Sequence, residues 1–73
     1  MDWRSEEYRD HEIGALAHES GSSPGKWLGS YEIKKDGEVV ARAAVVNLYD
    51  SAAEARQNIL RIAKQVLDDL LDR

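Results

Sequence analysis

The sequence predicts an α+β domain: a three-stranded antiparallel meander sheet with one C-terminal helix packed on one face, in the order β-β-β-α. Three observations carry this reading. A capping box at Ser51–Glu54 opens an amphipathic stretch of about 20 residues that runs toward the C-terminus. Residues 11–18 and 26–47 alternate with the two-residue period of strands. Asp36-Gly37 falls inside the second of these stretches and marks a hairpin turn.

Residues 1–10 are polar apart from Trp3 and Tyr8 and read as an N-terminal arm, so that the folded domain spans 11–73. One aromatic ring is expected to pack on the domain edge; the alternative is a hook for a partner. In residues 11–18, Ile13, Ala15 and Ala17 face one way, and Glu12, Leu16 and His18 the other. Glu19-Ser-Gly-Ser-Ser-Pro-Gly25 reads as a surface loop. The next strand, Lys26 to Lys34, puts Trp27, Gly29, Tyr31 and Ile33 on one face. The third runs from Glu38 to Asn47.

The register of the hairpin follows from burial. A two-residue Asp36-Gly37 turn would pair Ile33 with Val40 and Tyr31 with Arg42, which places Arg42 on the apolar face. A three-residue Lys35-Asp36-Gly37 loop, with Gly37 left-handed in a G1 bulge, pairs Ile33 with Val39, Tyr31 with Ala41, Gly29 with Ala43 and Trp27 with Val45. One face then becomes wholly apolar. A one-residue slip inverts every side chain, and each large apolar side chain kept buried is worth roughly 1.5–3 kcal/mol. The three-residue loop is therefore expected.

In the helix, Ala52, Ala55, Ile59, Ile62, Ala63, Val66 and Leu70 recur at three- and four-residue steps and form the stripe that faces the sheet. Leu60, Leu67 and Leu71 widen it on one flank, beyond the ~100° that a helix lying on one surface needs. Asp68, Asp69 and Asp72 crowd the negative end of the helix dipole, so the last turn is expected to fray. Gly29, Ala41 and Ala43 make the middle of the sheet face small, which lets the helix come close.

Composition narrows the function. Seventy-three residues form a small domain with a marginal core, and the absence of cysteine removes disulfides, zinc fingers and thiol chemistry. Self-association is the remaining route to stability. Charged residues are 33% and hydrophobic ones 42%, a globular balance, and the net charge of −4 counts against phosphate backbones as partners. No apolar run approaches the ~20 residues that span a bilayer, and the acidic start lacks a signal-peptide core. A cytoplasmic protein is expected.

No motif implies a catalytic residue, a metal or a cofactor, and a non-enzymatic role is expected. Gly21-Ser-Ser-Pro-Gly25-Lys26 is one residue short of a phosphate-binding loop, is followed by Trp27, and leads into a strand instead of a helix. His11 and His18 lie on opposite faces of their strand and read as exposed histidines. Glu6-Glu7 and Asp68-Asp69 are consecutive and read as solvated surface. Lys26, Lys34 and Arg42 share the outer sheet face, but Glu32 and Glu38 interleave with them and no aromatic offers a stacking platform.

The order β-β-β-α, with Asp-Ser-x-x-Glu-Ala from Asp50 to Ala55 opening the helix, resembles the partial double-stranded-RNA-binding fold of HicB-like antitoxins and of small bacterial proteins built the same way. The resemblance covers most of the chain in outline and rests at residue level on Ser51, Glu54 and Ala55. It implies a nucleic-acid-binding or antitoxin-type domain as the alternative function.

The leading expectation is an interaction module that forms a homodimer or docks a protein partner. Two apolar surfaces would do this: Leu16, Leu28, Val40 and Val46 on the outer sheet face, and the Leu60, Leu67 and Leu71 flank of the helix. The arm and its Trp3 are the competing cover for the outer face.

Overall fold

The computed structural model describes residues 2–72, with side chains over 4–72, and adds a strand to the expected meander. Strands β1 (Asp2–Tyr8), β2 (His11–Glu19), β3 (Trp27–Lys35) and β4 (Glu38–Tyr49) form one antiparallel sheet in sequential order, and helix α1 (Ala52–Leu71) follows. The architecture is α+β with a single C-terminal helix, as expected. The sheet has four strands, not three.

The extra strand is the segment read as an arm. It pairs with β2 over its whole length, from Asp2 opposite Ala17 to Tyr8 opposite His11. Its sequence, DWRSEEY, carries no apolar alternation, because an edge strand beside a helix flank can satisfy its register with charged side chains. The turn is equally silent. Arg9 and Asp10 both take positive φ, 50° and 65°, the sign a two-residue hairpin of favourable twist requires, yet neither is glycine or asparagine. Of the two rings, one of which was expected on the domain edge, Tyr8 packs against the core, and the Trp3 side chain lies outside the described residues.

The β3–β4 hairpin corrects the expected loop. Lys35 pairs with Glu38 around a two-residue Asp36-Gly37 turn, with φ of 52° and 84°. The odd residue that keeps Arg42 off the apolar face sits in the strand instead. Lys34 pairs with Val39 and Ile33 with Ala41, so Val40 is a bulge. The parity argument thus survives at a different position. Tyr31 now meets Ala43, Gly29 meets Val45, and Val39 moves from the apolar face to a place beside Lys34. A second irregularity follows: Gly29 pairs with Val45 but Trp27 pairs with Tyr49. It lengthens β4 past the expected Asn47 and swings Tyr49 into the core.

Helix α1 lies across β2 and β3, with little contact to either edge strand. A helix about 10 Å wide covers roughly two strands spaced ~4.8 Å apart. Ile13, Ala15, Ala17 and Ile33 of the sheet and Ala55, Ile59, Ala63 and Leu67 of the helix form the centre of the core. Four of these eight residues are alanine, so the layers approach closely. Ser51 caps the helix, its hydroxyl accepting from the Glu54 amide at 3.1 Å.

The C-terminal turn, expected to fray, is helical to Leu71 and is tied to the β1–β2 turn. Arg9 reaches from the β1–β2 turn to Asp68 at 2.9 Å and Asp72 at 3.2 Å. The Tyr8 hydroxyl donates to the same Asp68 carboxylate at 3.0 Å. The acidic crowding at the helix end is therefore matched by a cation that only the folded β1–β2 hairpin delivers.

Candidate interaction surface

The seven residues expected on interaction surfaces separate into three groups. Leu60 and Leu67 are core residues, 8% and 1% exposed, so the expected helix-flank surface is corrected. The over-wide stripe had a simpler cause: β1 extends the sheet beneath that flank, and Arg4 and Glu6 line a shallow groove there with Leu60 and Lys64. Glu6 and Lys64 form an ion pair, and the Lys64 ammonium stands 5.5 Å from the centre of the Tyr8 ring. Leu71 remains exposed at the helix end, beyond the sheet's cover.

Leu16 and Leu28 form the second group. Both lie on the sheet face opposite the helix and are half-buried. Leu16 pairs with Ser30, and Ser30 with Ala44, in one row across the sheet. The neighbouring row is charged: Arg42 pairs directly with Glu32, with a guanidinium–carboxylate contact of 3.1 Å, and Lys34 approaches the same carboxylate at 3.4 Å. Ordered ion pairs therefore interrupt the outer face, and its apolar area is smaller than the leucine count implies.

Val40 and Val46 belong to the third group, on edge strand β4. Val46 is 88% exposed and Val40 is half exposed. Val39 and Leu48 join them, also exposed. Sequence reasoning missed both, Val39 because the bulge reversed its face and Leu48 because the strand was ended two residues early, at Asn47. On the helix side of β4, Ala43 is exposed and Ala41 and Val45 are only half-buried, since the helix sits over β2 and β3. Ile62 and Val66, on the helix flank turned away from β1, are half-buried too. The exposed apolar residues of the sheet thus concentrate along one margin of the molecule.

The groups that could carry chemistry are dispersed. His11 is buried against the β1–β2 turn, a correction to the expected exposed side chain, and its Nδ1–H donates to the Arg9 carbonyl at 2.7 Å. That bond fixes the ring tautomer and braces the positive-φ turn. His18 is exposed on the other face. Among the described residues no group of three His, Cys, Asp or Glu side chains could hold a metal ion. The serine-rich segment is a structured hairpin loop: the Ser20 amide donates to the Lys26 carbonyl at 2.8 Å, and the Ser23 amide to the Ser20 hydroxyl at 3.2 Å. Lys26 pairs with Asp50, tying this loop to the residue before the helix cap. The ammonium is held above the usual lysine range by its hydrogen bond with Asp50.

No helix among the described residues is long and apolar enough to cross a membrane. No family model, curated protein or solved structure matches this chain.

Proposed function

We propose that the chain is a non-catalytic interaction module of the cytoplasm that associates with itself. The observation that supports this most directly is the apolar margin formed by β4. A domain of this size has little core to spare, yet Val39, Val40, Val46 and Leu48 stay in solvent along one strand. Exposed apolar residues gathered on one edge strand are candidates for an interaction site on a small protein. Covering it with a second copy requires one self-complementary patch and closes the assembly.

Sedimentation equilibrium tests the reading. A reversible dimer is expected between micromolar and millimolar protein. A strictly monomeric chain at millimolar concentration overturns it. The alternative, a nucleic-acid-binding or antitoxin-type domain, would then be tested by titrating labelled RNA and DNA duplexes.

A further inference from the structure

We infer that two copies of this chain join through β4 by antiparallel main-chain pairing, so that a continuous eight-stranded sheet carries both helices on one face. The inference rests on the self-associating reading and specifies its surface and register. The two sheet edges differ in a way that selects one of them. Edge strand β1 carries Arg4, Glu6 and Glu7, with Glu6 tied to Lys64, and such charge blunts pairing. Edge strand β4 is the longest in the sheet, at twelve residues, and Arg42 is its only charge beyond Glu38. That charge is already engaged by Glu32. In an edge strand every second residue turns its N–H and C=O away from the sheet, and a second strand satisfies those groups as no side-chain surface does.

The helix position points the same way. An antiparallel strand pair related by a two-fold has its axis perpendicular to the sheet, so both helices fall on the same side. Each helix covers its own β4 only in part. In the pair, the two uncovered strips become one central strip, bounded on both sides by the half-buried flank of Ile62 and Val66. Ala43, exposed although it faces the helix side, then lies at the middle of the assembly instead of at its margin.

Register follows from side-chain direction. Residues directly opposite in an antiparallel pair point to the same face, so the axis must pass beside a residue and not between two. The bulges at Val40 and after Val45 leave Ala41–Val45 as the regular run, which restricts the axis to its centre. Centring on Arg42 sets two like charges opposite one another, which is destabilising. Centring on Ala44 sets Arg42 against the partner's Val46 and Ala41 against the partner's Asn47. Centring on Ala43 matches Val40 with the partner's Val46, Ala41 with the partner's Val45, and Arg42 with the partner's Ala44. The axis is therefore at Ala43.

Cysteine cross-linking decides the geometry, and the chain has no cysteine to interfere. Ala43→Cys would bring two thiols together across the axis, since opposed Cα atoms about 4.5–5.5 Å apart fall in the range disulfides span. Under mild oxidation Ala43→Cys is expected to convert to covalent dimer, whereas Leu28→Cys, on the outer face, stays monomeric on a non-reducing gel. Sedimentation equilibrium of Val46→Lys should show a dissociation constant raised at least tenfold over wild type. A wild-type dimer whose Ala43→Cys variant does not cross-link, or which Leu28→Lys abolishes and Val46→Lys leaves intact, overturns edge pairing and keeps self-association. A wild-type monomer at millimolar concentration overturns both.

Discussion

At Gly29 a missing side chain sets the distance between helix and sheet. A Cβ built there would stand 2.9 Å from Ile59 Cδ1 and would meet Ile59 Cγ1 closer still, with the Leu16 carbonyl at 3.4 Å behind it. The backbone at Gly29 does not need glycine for its φ; the requirement is steric. Gly29→Ala is therefore expected to destabilise the fold by about 1–3 kcal/mol through overpacking, read as a lower urea midpoint with unchanged slope. The alternation of residues 26–34 placed Gly29 toward the helix, so this contact was legible in the sequence. Leu67 and Leu71 were not separable in that way. Both sit on the same flank of the helical wheel, but Leu67 is 1% exposed and Leu71 44%. Leu67→Ala should cost about 2–5 kcal/mol, and Leu71→Ala well under half of that. Equal losses would mean that the C-terminal turn is covered in solution by something other than β1.

Among the elements, the β1–β2 hairpin and the end of α1 act as a unit. Asp68 is held below the usual carboxylate range by the hydrogen bond from Arg9 first and from Tyr8 second. Its folded value lies below its unfolded one, so the stabilisation is complete above the ordinary aspartate value. It is lost as pH falls through the lowered one. Tyr8 is pushed the other way, chiefly because its hydroxyl donates to Asp68. That contribution is complete below the ordinary tyrosine value and disappears as pH rises through the raised one. Carbon-detected titration of Asp68 should thus give a midpoint below the ordinary range, and Arg9→Ala should move it upward. In the same variant, amide exchange at the last helical turn should quicken while the turns near Ser51 keep their protection. The other hairpin rests on Gly37, which has φ of 84° and no neighbour within 4 Å of a built Cβ. Gly37→Val meets only backbone strain, and a loss of about 1–2 kcal/mol is expected. A neutral result would mean that the turn rearranges, with the Val40 bulge free to absorb the change.

For the whole molecule, net charge and edge chemistry set the expected partners. With a net charge of −4 and the outer-face cations Lys34 and Arg42 drawn to Glu32, duplex RNA or DNA should not bind at physiological salt. Micromolar affinity that falls steeply with added salt would contradict this and favour the antitoxin-type alternative. The fold itself is a local meander in which each strand pairs with its sequence neighbours. Such topologies fold rapidly once the helix docks, and an apolar edge left open during folding invites association.

The sequence by itself determined the helix, its cap, the place of two of the three hairpin connections and the face to which nearly every core side chain points. Periodicity and capping are local properties, readable wherever burial on one side imposes a pattern. The tertiary structure alone decided three matters. Strand β1 has no pattern of its own, because its register is imposed by β2, its Glu6 is paired with Lys64 of the helix, and the turn that follows is held by Arg9 on Asp68 and Asp72 from the far end of the chain. The bulge at Val40 was free in position, because parity demands one extra residue but not where it sits; the Asp36-Gly37 turn, already suited to two residues, left the strand to supply it. The candidate surface moved from the helix flank to β4 because the helix lies over the two central strands, and of the two edges left at its sides β1 carries charged residues while β4 carries apolar ones.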